Sequence, residues 1–186
     1  MRFPVFLDTN VLYPVSLADT LLRLAEADVI RPHWSADVME ELVRNLGLRI
    51  PQDKAATRAR AMQVAFPEAM VTGYEDLVDA MGNDQKDRHV LAAAVHSDCE
   101  LIVTFDASGF APDALAPHHL VAVHPDEFLL DQLDLYPGQV RRALERQAAA
   151  TARPHLTALD LIDHFNQTGL RGFAAQLRRR WPDLAR

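Results

Sequence analysis

Phe3-Pro4-Val5-Phe6-Leu7-Asp8-Thr9-Asn10 is the stretch from which the fold can be read. An apolar run stops in a carboxylate, a hydroxyl and an amide, and a segment with helical spacing follows. In an open α/β sheet, ligands sit beyond the carboxyl ends of the parallel strands, which puts Asp8 at the mouth of a site. Asp, Thr and Asn after a strand also make good helix caps, so Asp8 gains chemical meaning only from its company. That company begins at Glu100-Leu101-Ile102-Val103-Thr104, a second apolar strand that ends in Thr104-Phe105-Asp106. The pattern is the same: strand, hydroxyl, carboxylate.

Between and beyond these two strands the chain alternates. Val11 to Ala27 carries Leu12, Val15, Leu17, Leu21, Leu22 and Leu24 at helical spacing. Val29-Ile30 reads as a short second strand closed by Pro32. Ser35 is a fitting N-cap for a helix over Ala36 to Asn45, with Gly47 as its stop. Pro51 opens another helix to Ala65, on which Lys54 and Arg58 share a face. Residues 69–74 read as extended and Glu75 to Met81 as a helix. Gly82-Asn83-Asp84 marks a turn before an alanine-rich helix, with Asp84 as cap and Asp87 in the first turn. Leu120 to Val123 is a last strand, and a helix runs from Asp126 to about Leu133. Short apolar strands alternating with helices predict a three-layer α/β/α fold with a mainly parallel central sheet. Past Pro137-Gly138 the character shifts: Val140 to Ala152, Leu156 to Asn166 and Leu170 to Arg180 read as helices without strands. The expected organisation is a domain over 1–125, a linking helix over 126–137 and a helical extension over 138–186.

With 186 residues, 49% hydrophobic and 24% charged, the chain can bury a real core. Its apolar runs are broken well before 18 residues, so no membrane span is expected. No basic segment precedes an apolar one at the start, so a cytoplasmic location without a signal peptide is expected. The single cysteine, Cys99, excludes an internal disulfide and a cysteine-based zinc site, and suits a reducing compartment. A net charge of -7 argues against general polyanion binding, yet the charge is uneven. Residues 1–137 hold 10 Lys/Arg against 22 Asp/Glu, whereas 138–186 hold 9 against 4. Arg141, Arg142, Arg178, Arg179 and Arg180 are therefore candidate phosphate contacts, although a solvated helical face explains the same composition. Trp181 would stack on a base or simply pack.

Asp8, Glu41, Asp87 and Asp106 are distant in sequence, but three of the four fall at strand ends or helix starts. Glu41 borders the apolar stripe of Val38 and Leu42, and Glu40 points further out. If the acids converge, their repulsion is costly, and a hard cation such as Mg²⁺ or Mn²⁺ removes that cost. Such ions orient a phosphodiester and activate water. Thr9 or Thr104 would then hold a ligand carboxylate or a water in place. His118-His119 have no metal spacing and read as structural or surface residues. Other chemistries lack their parts. There is no G-x-G-x-x-G, no Walker A sequence and no G-x-S-x-G elbow. A haloacid-dehalogenase-like phosphatase needs a second Asp where this chain has Asn10.

Taken in order, these segments resemble a PIN-domain nuclease. Phe6-Leu7-Asp8-Thr9-Asn10-Val11-Leu12 is similar to that family's first-acid motif, and Ser35-x-x-Val38-x-x-Glu41-Leu42 to its second-acid helix. Asp84-x-x-Asp87-x-x-Val90-Leu91-Ala92-x-Ala94 resembles the third, and Leu101-Ile102-Val103-Thr104-Phe105-Asp106 with Phe110 the fourth. The likeness covers residues 3–125 and rests on four motifs in the right order. It implies a Mg²⁺- or Mn²⁺-dependent endoribonuclease, commonly the toxin of a bacterial toxin–antitoxin pair of the VapC type. Asp8, Glu41, Asp87 and Asp106 would bind metal and act in catalysis. Asn10 or Thr104 would position a ligand or water, and Asp84 would be an accessory acid. Of Glu40 and Glu41, the motif's register favours Glu41, because Leu42 follows it. The resemblance further implies an RNA substrate, a cognate antitoxin that masks the acids, and often a homodimer; the tail resembles the helical extension of a VapC subgroup. The rival expectation is a non-catalytic RNA- or protein-binding PIN-like module.

Overall fold

The computed structural model describes residues 3–150 and 157–183, so Leu156 and the last two residues of the helix predicted over 140–152 lie outside the described residues. Five strands form one sheet: β1 (Phe3–Leu7), β2 (Ile30–Ser35), β3 (Met70–Val71), β4 (Leu101–Val103) and β5 (Val121–Val123), in the order β3-β2-β1-β4-β5. β1 lies parallel to β4, with Val5, Phe6 and Leu7 opposite Leu101, Ile102 and Val103; β4–β5 and β2–β3 are parallel too. Val5, Phe6 and Leu7 are fully buried. A central strand of a parallel sheet is covered on both faces, which is why this one reads as an unbroken apolar run. The expected α/β/α architecture, with helices flanking a parallel sheet and a helical C-terminal portion, is the one observed.

Ten helices accompany the sheet among the described residues: α1 (Thr9–Leu12), α2 (Val15–Glu26), α3 (Ala36–Gly47), α4 (Gln52–Ala65), α5 (Arg88–His96), α6 (Pro112–Leu115), α7 (Pro125–Leu135), α8 (Pro137–Ala150), α9 (Ala158–Gln167) and α10 (Arg171–Arg180). Ser35 caps α3 as expected, its hydroxyl accepting from the Val38 N–H at 3.3 Å. Several local expectations need correction. The helix expected over 11–27 breaks at Pro14, which has no N–H to continue the ladder and instead stands at the N-cap of α2. Arg58 donates to the carbonyls of Leu12 (2.7 Å) and Tyr13 (3.3 Å), so it closes the end of α1 rather than forming a patch with Lys54. β2 is not closed by Pro32 but runs on to Ser35. Its pairing with β3 is made by Trp34 and Ser35, beyond the proline, where the missing N–H is not required. Residues 75–80 form a 3-10 helix, and a 3-10 turn over Gln85–Asp87 precedes α5.

α2 and α5 stop by the same device. Asp28 (φ 60°) and Asp98 (φ 52°) take the left-handed conformation, and the next N–H reaches back to Leu24 and Ala94, respectively. That bond satisfies an orphan helix carbonyl and turns the chain into the following strand.

By internal packing the chain divides into two compact units. The first holds residues 3–13 and 31–124, and with them the sheet. The second holds residues 14–30 and the described residues from 125 onward, so α2 belongs with the C-terminal helices. In this second unit the buried Thr20 hydroxyl donates to Gln147 Oε1 (2.7 Å), while Gln147 Nε2 donates to the Ser16 carbonyl (2.8 Å). The Phe165 and Phe173 rings lie 5.5 Å apart. Asp126 accepts from the backbone N–H groups of Gly172 (2.9 Å) and Phe173 (2.7 Å) at the start of α10, which has no side-chain cap of its own. A charged group on two orphan helix donors is worth about 1–2 kcal/mol. Asp126→Ala should therefore lower unfolding free energy by that amount in urea denaturation, with Asp126→Asn intermediate.

Candidate active site

The carboxyl ends of β1 and β4 lie side by side, and their first residues past the sheet are joined in a polar seam. Asp8 accepts at Oδ1 from the Thr9 N–H (2.6 Å) and at Oδ2 from Asn10 Nδ2 (2.7 Å) and Thr104 Oγ1 (2.7 Å). The Thr104 hydroxyl, fully buried, also accepts from Asn10 Nδ2 (2.9 Å) and from the Asp106 N–H (3.1 Å). One donation and two acceptances are all a hydroxyl can make. Asn10 completes the seam by accepting from the Phe105 N–H at 3.0 Å.

Around this seam runs a cleft of about 560 Å³ lined by Asp8, Glu41, Asp87 and Asp106. Thr9, Asn10, Tyr13, Arg44, Asn45, Leu48, Arg49 and Lys86 complete its wall. All four acids singled out in the sequence thus face one space, delivered by β1, α3, the N-cap of α5 and the loop after β4. Glu41, not Glu40, is the member from α3. Its Oε2 accepts from Thr9 Oγ1 at 2.8 Å, and its Oε1 lies 3.5 Å from His89 Nε2 and 3.6 Å from Arg44. Asp84 is exposed and stands apart from the cleft wall, capping the turn that presents Asp87.

Each acid is held differently. Burial raises the pKa of Asp8, opposed by hydrogen bonds from Thr104 and Thr9 and reinforced by the charges of Asp87 and Glu41. Burial likewise raises Asp87; Lys86 pulls it down, and Asp106 and Asp84 push it up. Glu41 is lowered, chiefly by His89, and Asp106 is lowered by the Ser108 hydroxyl and by Lys86. Lys86 Nζ sits 3.0 Å from Asp106 Oδ2 and 3.8 Å from Asp87 Oδ2. Asp87 Oδ2 is buried without a hydrogen bond among the described residues. A donor, a water or a cation would satisfy an oxygen left in that state. The donor set, carboxylates and hydroxyls only, fits Mg²⁺ or Mn²⁺ rather than a softer metal. As the side chains lie, however, no three His, Cys, Asp or Glu groups among the described residues converge on one point.

Three residues of the site carry no signal in the sequence alone. Lys86 and His89 sit inside the third motif, but only the folded geometry shows that they face Asp106 and Glu41. Gly109 is the third. A Cβ there would come within 2.0 Å of Asp87 Oδ2, so the glycine makes room for the carboxylate. The tail arginines have other commitments. Arg141 pairs with Glu145 and Asp183 and lies over the Trp181 ring, Arg178 pairs with Asp163, and Arg180 with Asp134. Arg142 and Arg179 are exposed on the second unit. Cys99 is buried, and burial pushes its thiol up to about 11.

The fold and this acid-lined cleft place the chain in the PIN-domain family, to which it belongs: that family's model matches residues 4–108. A second model, the VapC50 C-terminal domain, matches residues 125–179. The chain is also similar to a curated protein of Mycobacterium tuberculosis (strain ATCC 25618 / H37Rv), named "Putative ribonuclease VapC50". The two are 45% identical over 114 residues, 61% of this chain and 67% of the relative. No solved structure matches the chain.

The Glu41–His89 pair makes stability depend on pH. Burial opposes the charge on His89, but its bond to Glu41 and the charges of Glu41, Asp37 and Asp8 outweigh it and raise the pKa. A raised histidine stabilises the fold fully below its ordinary value of 6.5 and loses that contribution as pH rises through the folded value. A lowered glutamate stabilises above its ordinary 4.5 and loses the contribution as pH falls through the folded value. The pair therefore contributes most between those two values. His89→Gln should cost more stability at about pH 5.5 than at about pH 9, read from thermal melts of both proteins at each pH.

Proposed function

We propose that this protein is a divalent-metal-dependent endoribonuclease that hydrolyses RNA phosphodiester bonds, and that it is the toxin of a bacterial type II toxin–antitoxin pair. The observation that carries this reading is the single cleft shared by Asp8, Glu41, Asp87 and Asp106. The family and the VapC50-type C-terminal region support it, as does a relative named as a ribonuclease. A cytoplasmic location agrees with the reducing chemistry that a lone buried thiol suits. No helix among the described residues is long and apolar enough to cross a membrane.

Asp8, Glu41, Asp87 and Asp106 hold Mg²⁺ or Mn²⁺ in this reading. The bound ion supplies Lewis acidity at the phosphodiester and offsets its negative charge. Asn10 and Thr104 fix the orientation of Asp8, and Thr9 that of Glu41, so the carboxylates need little reorganisation to take up their task. Asp84 acts by shaping the turn before Asp87. Arg44 and Arg49 on the cleft wall, with Lys86, provide positive charge for the RNA backbone close to the acids. An antitoxin that presents a basic side chain to this cleft would neutralise it and block access.

The deciding experiment is cleavage of pooled transfer, ribosomal and messenger RNA with Mg²⁺, with Mn²⁺ and with EDTA. Metal-dependent cuts that vanish in folded Asp8→Asn establish the nuclease. No cuts from folded, antitoxin-free protein would favour a binding module instead. Thr104→Val keeps all four acids but removes the hydroxyl that orients Asp8, and should slow cleavage by roughly 10–100-fold. Gly109→Ala should melt close to the parent, because only the end of the Asp87 side chain must shift, yet cleave at least about tenfold more slowly.

A further inference from the structure

The cleft acids repel one another, and the protein already contains a cation placed among them. Lys86 extends from the 3-10 turn before α5 and sets its ammonium 3.0 Å from Asp106 Oδ2 and 3.8 Å from Asp87 Oδ2. The other oxygen of Asp106 is taken by the Ser108 hydroxyl. Asp106 is thus held at both oxygens by side chains, while Asp87 Oδ2 is buried with no hydrogen bond among the described residues. In this arrangement no three acidic or imidazole groups among the described residues converge on one point. A divalent ion that takes Asp106 Oδ2 and the Asp87 carboxylate as ligands would stand beside the oxygens that now face Lys86 Nζ. Two cations cannot share them at that distance without strong repulsion.

We propose that Lys86 is a built-in competitor of the divalent metal: its ammonium occupies the Asp87–Asp106 half of the centre, and the metal loads there only by displacing it. This inference rests on the proposed metal centre and adds what that reading lacks, a residue of this chain that sets how readily the centre fills. The device is feasible because the lysine side chain is 62% exposed, so it swings out without disturbing the core. Once displaced, its charge stays on the cleft wall, where an RNA phosphate can take it up. Lys86 is a positioning residue, acting through Asp106 and Asp87 rather than on the reacting atoms.

The test is Mn²⁺ binding to the purified full chain without RNA, followed by calorimetry and by the electron paramagnetic resonance of free Mn²⁺. Parent, Lys86→Met, Lys86→Arg, Arg49→Met and Asp8→Asn are compared. Lys86→Met should bind Mn²⁺ at least about tenfold more tightly than the parent, and Lys86→Arg should stay near the parent. Arg49→Met removes the same charge from the cleft wall and should change affinity less than about threefold. Thermal melts of each variant without metal verify folding; the exposed position of Lys86 makes Lys86→Met a mild substitution. Equal affinity in parent and Lys86→Met, or equal tightening by Arg49→Met, would overturn the proposal while leaving the metal centre intact. If Mn²⁺ binding is absent from every variant, or unaffected by Asp8→Asn, the metal centre itself fails, and the competitor with it.

Discussion

A buried carboxylate at the end of the central strand is the constraint to which the rest of the site answers. Asp8 is 6% exposed, and an ionised group so placed is tolerated only if its lone pairs are occupied. Thr9, Asn10 and Thr104 occupy them, and each comes from a position the sheet itself fixes. Thr104 follows β4, paired residue for residue with β1, and its own N–H reaches the Val123 carbonyl of β5 at 3.1 Å. The same hydroxyl then receives the N–H of Asp106. Closing the sheet and aiming the acids are one act here, since the bonds that satisfy Asp8 also tie together the ends of neighbouring strands.

The charges beyond Asp8 are compensated unevenly. Glu41 has a hydroxyl, an imidazole and a guanidinium nearby, and its carboxyl lies below the usual range. Asp106 has Ser108 and Lys86, with the same result. Asp8 and Asp87 are pushed the other way, mainly by burial. Groups driven apart in this manner mark sites of chemistry more often than ordinary surface acids. The imbalance leaves the deepest oxygens short of positive charge.

Much of this was legible in the sequence, and the reason is local. The apolar runs of β1 and β4 announce buried parallel strands by themselves, and each ends in its acid, so Asp8 and Asp106 fall at the correct edge. Ser35 signals the start of α3 by the chemistry of one residue. What escaped depends on long-range geometry or on a neighbour's side chain. Nothing near Pro32 reveals that β2 pairs with β3 only beyond it. Pro14 did carry a signal, overridden by the helical spacing around it. Lys86 and His89 face acids 20 and 48 residues distant, and Gly109 matters only because Asp87 passes over it. The tail arginines were visible as charge, but composition does not show that Arg141, Arg178 and Arg180 face acids within their own unit.

Residues 14–30 leave the sheet-bearing unit between its first and second strands and pack with helices from the end of the chain. Thr20 and Gln147 meet across 127 residues. During synthesis α2 emerges among the first segments, yet its partners are the last to appear. Contacts of such separation are slow to form because a long loop must close first. The apolar side of α2, with Leu17, Leu21 and Leu24, therefore waits uncovered until translation is nearly complete. A chain cut short after β5 would keep every acid of the cleft and lose the helices that cover α2. For this protein the helical unit is drawn from both ends of the chain, and its first thread is woven in at residue 14.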